Sequence, residues 1–362
     1  MKSKPTTYII AEAGVNHNGS LSMAKQLVNI AAEAGADAVK FQTFRTEELV
    51  SKTAPKAAYQ QQTTSKFESQ YAMLKKLELT EADHNELVSY CADKNIDFLS
   101  TPFDAPSVDL LADILGIRRI KISSGEITNA PLLLKIASTQ KEVILSTGMS
   151  TLGEIERALE VLAFGYICND EQTPSVEAFR QAYLCATGQE ILQEKVTLLH
   201  CTTEYPAPFK EVNLRAMDTL QQAFGLPVGY SDHTPGIAVP IAAVARGAVM
   251  IEKHFTLDRN LPGPDHKASL EPEELKQMVQ SIRQVEQALG TNRKMPTVSE
   301  LANRTTARKS LVALKEIKCG EEYTVDNLGA KRPGNGLSPF YYWKMLGRRA
   351  ARDYQIDELV EL

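Results

Sequence analysis

Cysteine is scarce and poorly placed for a framework. The five thiols, Cys91, Cys168, Cys185, Cys201 and Cys319, are odd in number and include no CxxC pair. Neither a disulfide scaffold nor a zinc cluster is expected, and the thiols read as reduced. Long hydrophobic runs are also missing. The longest, 236–245, is interrupted by Pro240, whereas a membrane helix needs about 20 apolar residues. The opening MKSKPTTYIIAEAG has too short an apolar stretch for a signal peptide. There is no basic excess: Lys and Arg number 40 against 45 Asp and Glu, a net charge of −5, which leaves no footprint for nucleic acid. These absences predict a cytoplasmic protein with neither membrane nor nucleic-acid partners. The remaining composition, 43% hydrophobic and 23% charged over 362 residues, can bury a large core and a smaller one.

Eight short β-rich runs follow one another: 8–14, 38–43, 97–101, 119–124, 142–147, 196–201, 227–232 and 249–255. Helical patterns separate most of them. Ala24, Leu27, Val28 and Ala31 share one face of a predicted helix over 21–34, which Gly35 stops. Thr151 and Glu154 have the spacing of a capping box. Helices are also expected over 213–224 and 271–289. Strands alternating with helices imply a parallel sheet, and eight units predict a (β/α)8 TIM barrel over residues 1–290. Residues 45–78 read as a polar loop over the mouth with some helix, and 165–195 as an insertion carrying a helix. Beyond Gly290 the pattern changes to a linker, 291–304, and a small, mostly β domain, 305–362.

A barrel delivers chemistry where its strands end. Those positions hold Glu12, Asn16 and His17; Lys40 and Gln42; Thr101; Lys121, Ser123, Ser124 and Glu126; Ser146 and Thr147; Thr202, Thr203 and Tyr205; Ser231, Asp232 and His233; Glu252 and His254. Lys40 and Lys121 lie inside apolar strands, where an unpaired ammonium costs several kcal/mol. Glu12 or Glu126 could supply the counter-charge. A bound phosphate or carboxylate would also serve, and is the preferred reading. His233 and His254 end neighbouring strands about 4.8 Å apart, so two imidazoles can reach one ion. Two ligands are too few for structural zinc, and a divalent ion completed by water and substrate oxygen, Mn2+ or Mg2+, fits better. The competing reading of either histidine is a hydrogen-bonded core residue, which is the reading given to His84 and His200. His17 and His266 are expected near the mouth without an assigned role.

The segments AEAGVNHNGS (11–20), VKFQTF (39–44), STPFD (100–104), KISSGE (121–126), STGMS (146–150), HCTTEYPAP (200–208), GYSDHT (229–234), EKHFTL (252–257), GPDHKASLEP (263–272) and KRPGNG (331–336) resemble the sialic acid synthase family. The likeness covers nearly the whole chain in order and spacing. It implies a barrel followed by an antifreeze-like (SAF) domain, in a homodimer that exchanges those domains. It further implies phosphoenolpyruvate held by Lys40, Gln42, Thr101, Lys121, Ser124, Ser146 and Ser231. The metal would sit on His233 and His254, as Mn2+, with Mg2+ or Co2+ as substitutes. Glu126, Tyr205, Asp265 and, from the other subunit, Arg332 would contact the acceptor sugar, and Glu12 would act in the chemistry.

The implied reaction joins phosphoenolpyruvate, N-acetylmannosamine and water into N-acetylneuraminate and phosphate by C–O cleavage. Legionaminate from 2,4-diacetamido-2,4,6-trideoxymannose is the alternative, because residues 202–204 (TTE) depart from members that carry Asn there. Two readings from other classes are a Schiff-base aldolase using Lys121 or Lys40 and a carbohydrate-binding protein without turnover.

Overall fold

The computed structural model describes residues 6–56, 68–168 and 172–362. It divides into two compact units, Met1–Gly290 and Thr291–Leu362.

The first unit holds β1 (Tyr8–Gly14), β2 (Ala38–Thr43), β3 (Asp97–Pro102), β4 (Arg119–Ile122), β5 (Glu142–Ser146), β6 (Val196–Cys201), β7 (Val228–Asp232) and β8 (Met250–His254). All pair in parallel in the order β3-β2-β1-β8-β7-β6-β5-β4. β3 and β4 lie in contact, so the ring is nearly closed and the TIM-barrel expectation holds.

Successive side chains on a strand face opposite ways, and this alternation builds the interior in layers. At the bottom, the Tyr8 hydroxyl donates to Asp97 at 2.5 Å, and Arg119 pairs with Glu142 at 2.7 Å while its guanidinium lies 4.8 Å from the Tyr8 ring centre. Above it, Ile10, Ala38, Leu99, Ile144, Leu199 and Met250 form an apolar plug. Two residues further along the strands come Glu12, Lys40, Thr101, Lys121, Ser146 and Glu252, all buried. The outward-facing set, with Ile9, Phe41 and Tyr230, joins the helices in the main core.

Local signals place the helices. Leu21–Ala34 is capped by Ser20, buries Ala24, Leu27, Val28 and Ala31, and ends at Gly35 with φ +80°. Leu152–Ile167 begins at the reciprocal Thr151–Glu154 box. The helix expected from 213 starts only at Ala216 and ends before Gly225, because Asn213 adopts a left-handed φ of +49°. Within 45–78 the helices Thr46–Leu49 and Gln70–Lys75 occur, and 57–67 lie outside the described residues. The stretch 165–195 carries two helices rather than one, Val176–Leu184 and Ala186–Lys195, with Phe179 packed edge-on against Phe164 at 5.1 Å; 169–171 lie outside the described residues. Among the described residues no helix is long and apolar enough to cross a membrane.

The second unit is less regular than its sequence suggested. It has one antiparallel pair, β9 (Ser310–Ala313) with β10 (Leu328–Lys331), extended by isolated bridges such as Ile317–Tyr354. Leu311, Ile317, Tyr323, Leu328, Met345, Tyr354 and Val360 form its core. Part of the stretch read as a linker is helix Val298–Ala307, started by a Thr297–Glu300 capping box.

Gly35 offers a clean stability test. A Cβ there would meet only Val279 Cγ1, at 3.7 Å, so Gly35→Ala introduces backbone strain without a clash. It is expected to cost about 1 kcal/mol in urea unfolding and to leave turnover unchanged, since the Gly35 turn feeds the bottom of β2.

Candidate active site

Four charged side chains from four strands meet in the top layer of the barrel. Lys40 Nζ lies 2.5 Å from Glu12 Oε2 and 3.7 Å from Glu252 Oε2. Lys121 Nζ donates to both oxygens of Glu252, at 2.8 and 3.0 Å. The Ser231 hydroxyl donates to Glu252 Oε1 at 2.8 Å, and Lys40 donates to Thr101 Oγ1 at 3.0 Å. The strand register produces these pairings, setting Glu12 beside Lys40 and Ser231 beside Glu252.

Burial opposes the charges of Lys40, Glu252 and Glu12. Around Lys40 the Glu12 and Glu252 carboxylates outweigh it and hold the ammonium above the usual lysine value. Burial likewise works against Glu252, but Lys121 and Lys40 keep its carboxyl well below the ordinary range. For Glu12 burial wins: its carboxyl is raised, with Lys40 offsetting part of the effect and Glu252 adding to it.

The expected counter-charges therefore need one correction. Glu12 serves Lys40 as anticipated, but Glu126 serves neither lysine. It stands half-buried on the turn after β4 and accepts from Asn129 Nδ2 at 2.7 Å. The second counter-ion is Glu252, which the motif reading noted at a strand end without giving it a role. Alternation along Met250–His254 (MIEKH) carried the signal, since Glu252 and His254 share one face.

His233 and His254 lie beside this cluster, ring centres 5.6 Å apart. Tyr205 flanks both, 4.1 Å from the His233 ring and 5.7 Å from that of His254. His233 Nδ1 lies 2.6 Å from the Thr202 carbonyl. A carbonyl only accepts, so Nδ1 carries the proton and Nε2 keeps its lone pair. Burial lowers His233 to about 4. Burial and then the neighbouring His233 push His254 well below the usual value. Both rings are neutral at pH 7, the form that binds metals. His254 Nδ1 is buried without a hydrogen-bond partner. Among the described residues no group of three His, Cys, Asp or Glu is arranged to hold an ion.

Two glycines leave room for these groups. A Cβ on Gly14, which has φ +52°, would stand 3.2 Å from Glu12 Oε1, 3.4 Å from His254 Cε1 and 3.6 Å from Asp265 Oδ2. That geometry brings Asp265 to the same corner, where burial raises its carboxyl to about 6 against the pull of Lys40. A Cβ on Gly148 would clash with Thr203 Oγ1 and stand 3.1 Å from Ser124 Oγ. Those two hydroxyls lie 3.2 Å apart, and the nearby Ser146 hydroxyl is buried without a partner. Half-buried Gln42 stands opposite Thr101 in the β2–β3 register.

The remaining histidines brace loops. His84 bonds Thr43 Oγ1 and the Thr80 carbonyl, and His200 the Val212 carbonyl. His17 and His266 were expected near the mouth. In the loop after β1, His17 packs 6.0 Å from Phe41 and accepts from the Gly19 amide. His266 is tied to Thr256 and Asn18. Arg332 belongs to the second unit, where it is exposed and donates to the Ala307 carbonyl at 3.0 Å.

Residues 27–294 match the NeuB family. The chain belongs to that family. Residues 308–361 match the SAF domain, so the second unit is the antifreeze-like domain expected. This NeuB-family chain is 53% identical over 354 residues to N,N'-diacetyllegionaminic acid synthase of Campylobacter jejuni, covering 98% of both chains. It is 46% identical to the protein of the same name from Legionella pneumophila, over 96% of this chain and 91% of the relative. The crystal structure of N-acetylneuraminic acid (sialic acid) synthetase from Leptospira borgpetersenii, in complex with citrate, has a TM-score of 0.65 at 34% identity and covers 82% of this chain and 90% of that one. The chain is therefore an enzyme of the NeuB sugar-acid synthase family. The aldolase and binding-protein readings fall away. The ion pair of Lys40 agrees, because Glu12 and Glu252 favour its charged ammonium over the neutral amine a Schiff base requires.

Gly148→Ala is expected to fold but to crowd the Ser124–Thr203 corner. If phosphoenolpyruvate is held at this corner, calorimetry should show it binding at least roughly tenfold weaker, a change of about 1.4 kcal/mol. Unchanged affinity would mean that the anion lies elsewhere.

Proposed function

We propose that the enzyme condenses phosphoenolpyruvate with 2,4-diacetamido-2,4,6-trideoxymannose and water, giving N,N'-diacetyllegionaminate and phosphate. The observation that carries the choice of sugar is the 53% identity, along 98% of both chains, to a protein named for that product. N-acetylmannosamine, the first choice from the motifs, becomes the second reading; the 34% identity to a sialic acid synthetase supports it.

Phosphoenolpyruvate would lie against Lys40, Gln42, Thr101, Lys121, Ser124, Ser146 and Ser231. The unpartnered Ser146 hydroxyl supports this placement, because a buried donor calls for an acceptor. The bound anion would share the lysines with Glu12 and Glu252. His233 and His254 would hold a divalent ion, Mn2+ by preference and Mg2+ or Co2+ otherwise. Two neutral imidazoles with ring centres 5.6 Å apart suit such an ion, which when bound would make the acceptor aldehyde electrophilic and add positive charge to a balanced cluster.

Glu126, Tyr205 and Asp265 would orient the sugar so that its aldehyde carbon meets C3 of phosphoenolpyruvate. As the C–C bond forms, the aldehyde π electrons pass to its oxygen, which takes up a proton, and C2 gains positive character that the Glu12 carboxylate would stabilise. Water then adds at C2, and Glu12 would take its proton. The C2–O bond to phosphate breaks, phosphate departs with the electron pair, and C2 becomes a ketone.

One assay tests sugar and metal together. Phosphate release would be followed from phosphoenolpyruvate with each sugar, before and after chelation. The trideoxy sugar is expected to have the higher kcat/KM, by roughly tenfold or more, as expected for added apolar contacts. Chelation should abolish turnover and Mn2+ restore it. The reverse order of sugars would return the reading to N-acetylneuraminate, and full turnover in stripped enzyme would remove the metal.

Arg332 would reach the acceptor from the SAF domain of a second subunit. Exchange between identical subunits is a low-cost route to a dimer and suits a domain with a small core of its own. Arg332→Ala and Glu12→Ala should each be inactive, and co-refolding them should restore roughly a quarter of the sites, because a mixed two-fold dimer has one intact site. A mixture as dead as its parents, with subunit exchange demonstrated, would exclude action in trans.

A further inference from the structure

The reaction leaves one buried charged pair without a task. Asp232 and Lys253 directly precede the two histidines in the chain and face each other in the β7–β8 register. Alternation turns them away from the barrel axis, while Ser231 and Glu252 take the inner face. Both are almost completely enclosed, with relative exposures of 1% and 0%.

Their contacts converge on the residue that follows His233. Lys253 Nζ stands 2.6 Å from Asp232 Oδ2 and also donates to the Thr234 carbonyl. Asp232 Oδ1 accepts from the Thr234 amide at 2.9 Å and from the Tyr230 hydroxyl at 3.0 Å, and Oδ2 accepts from the Thr234 hydroxyl at 3.1 Å. Thr234 is therefore held at its amide, hydroxyl and carbonyl. His233 lies between the two clamped residues, with its own carbonyl accepting from the Ala207 amide at 2.8 Å.

We propose that Asp232 and Lys253 are positioning residues that tie the 232–234 turn of β7 to the Lys253–His254 peptide of β8, and thereby set the spacing of the two imidazoles for one divalent ion. Stability alone is a weak reason for such a pair, because well-packed apolar residues commonly replace a buried ion pair without loss. Fixing position is a stronger reason, since a metal site tolerates little error in where its ligands stand. The inference rests on the two-imidazole reading of the proposed function.

Mn2+ titration of the full chain, without sugar or phosphoenolpyruvate, tests it. Lys253→Met strands a buried carboxylate and should lower both the melting temperature and the Mn2+ affinity. Asp232→Ala/Lys253→Met removes both charges, so its melting temperature should recover. Its Mn2+ affinity should stay reduced, by roughly 10- to 100-fold, the usual cost of losing a partner outside the ligand shell. Affinity that recovers along with melting temperature would reduce the pair to a structural role and overturn the proposal. An unchanged Mn2+ affinity in both variants would do the same. Should the single variant fail to fold, the double still reads out, since it carries no lone buried charge. Thr234→Val, which deletes only the hydroxyl contact, gives a milder version of the same comparison. An unaltered protein that takes up no Mn2+ would end the metal reading itself, a failure distinct from any pattern among the variants.

Discussion

Glu12, Lys40, Lys121 and Glu252 occupy one layer of the barrel interior, and none of the four can be removed alone without leaving a buried charge short of a partner. Breaking a buried pair from one side costs about 3–5 kcal/mol. The pairings run both across the ring and between neighbours: Lys121 on β4 reaches Glu252 on the opposite strand β8, and Lys40 on β2 lies between Glu252 and Glu12 on the adjacent β1. The cluster therefore spans the mouth and fixes it. It also gives the site two cations that an anionic substrate can share without the chain having to bury them unpaired beforehand.

The same strands work on both faces. Inside β7 and β8, the Ser231–Glu252 contact feeds the charged layer and the two histidines follow one step further along. Outside, Asp232 and Lys253 lock the backbone that carries those histidines. The apolar plug of Ile10, Leu99, Ile144 and Met250 lies beneath and separates the charged layer from the Tyr8–Asp97–Arg119–Glu142 floor. With water excluded from below, the charges of the mouth interact in a low dielectric, where each contact is stronger and each unpaired group more costly.

Much of this was legible because the signals are local. Short β-rich runs separated by helical patterns located the eight strands, and the boundary at Gly290 followed from a change of pattern. Gly35, Gly225 and the Thr151–Glu154 pair marked helix ends that the structure keeps. Side chains at strand ends had to share one mouth once the barrel was granted. Less legible were groups whose meaning depends on a partner distant in the chain. Glu252 was noted but given no role, because nothing near it in sequence announces that Lys121 will meet it 131 residues away. Glu126 looked as good a counter-ion until its turn directed it to Asn129. His17 and His266 sit in motif segments, and only the folded loops show what they touch, Phe41 and Thr256.

By itself the sequence determined the periodicity of the elements, the list of polar groups delivered to one end of the barrel, and kinship to an enzyme family through ordered motifs. Each follows from chain spacing, which fixes which residues share a face or a strand end. Tertiary structure decided which carboxylate neutralises which lysine, that both imidazoles are neutral and one has its Nδ1 proton tied to the Thr202 carbonyl, and that Asp232 meets Lys253 behind them. Those outcomes depend on burial and on strand register around a ring. Register sets neighbours across strands that spacing along the chain does not encode, and burial turns a residue's nominal charge into a requirement for a particular partner.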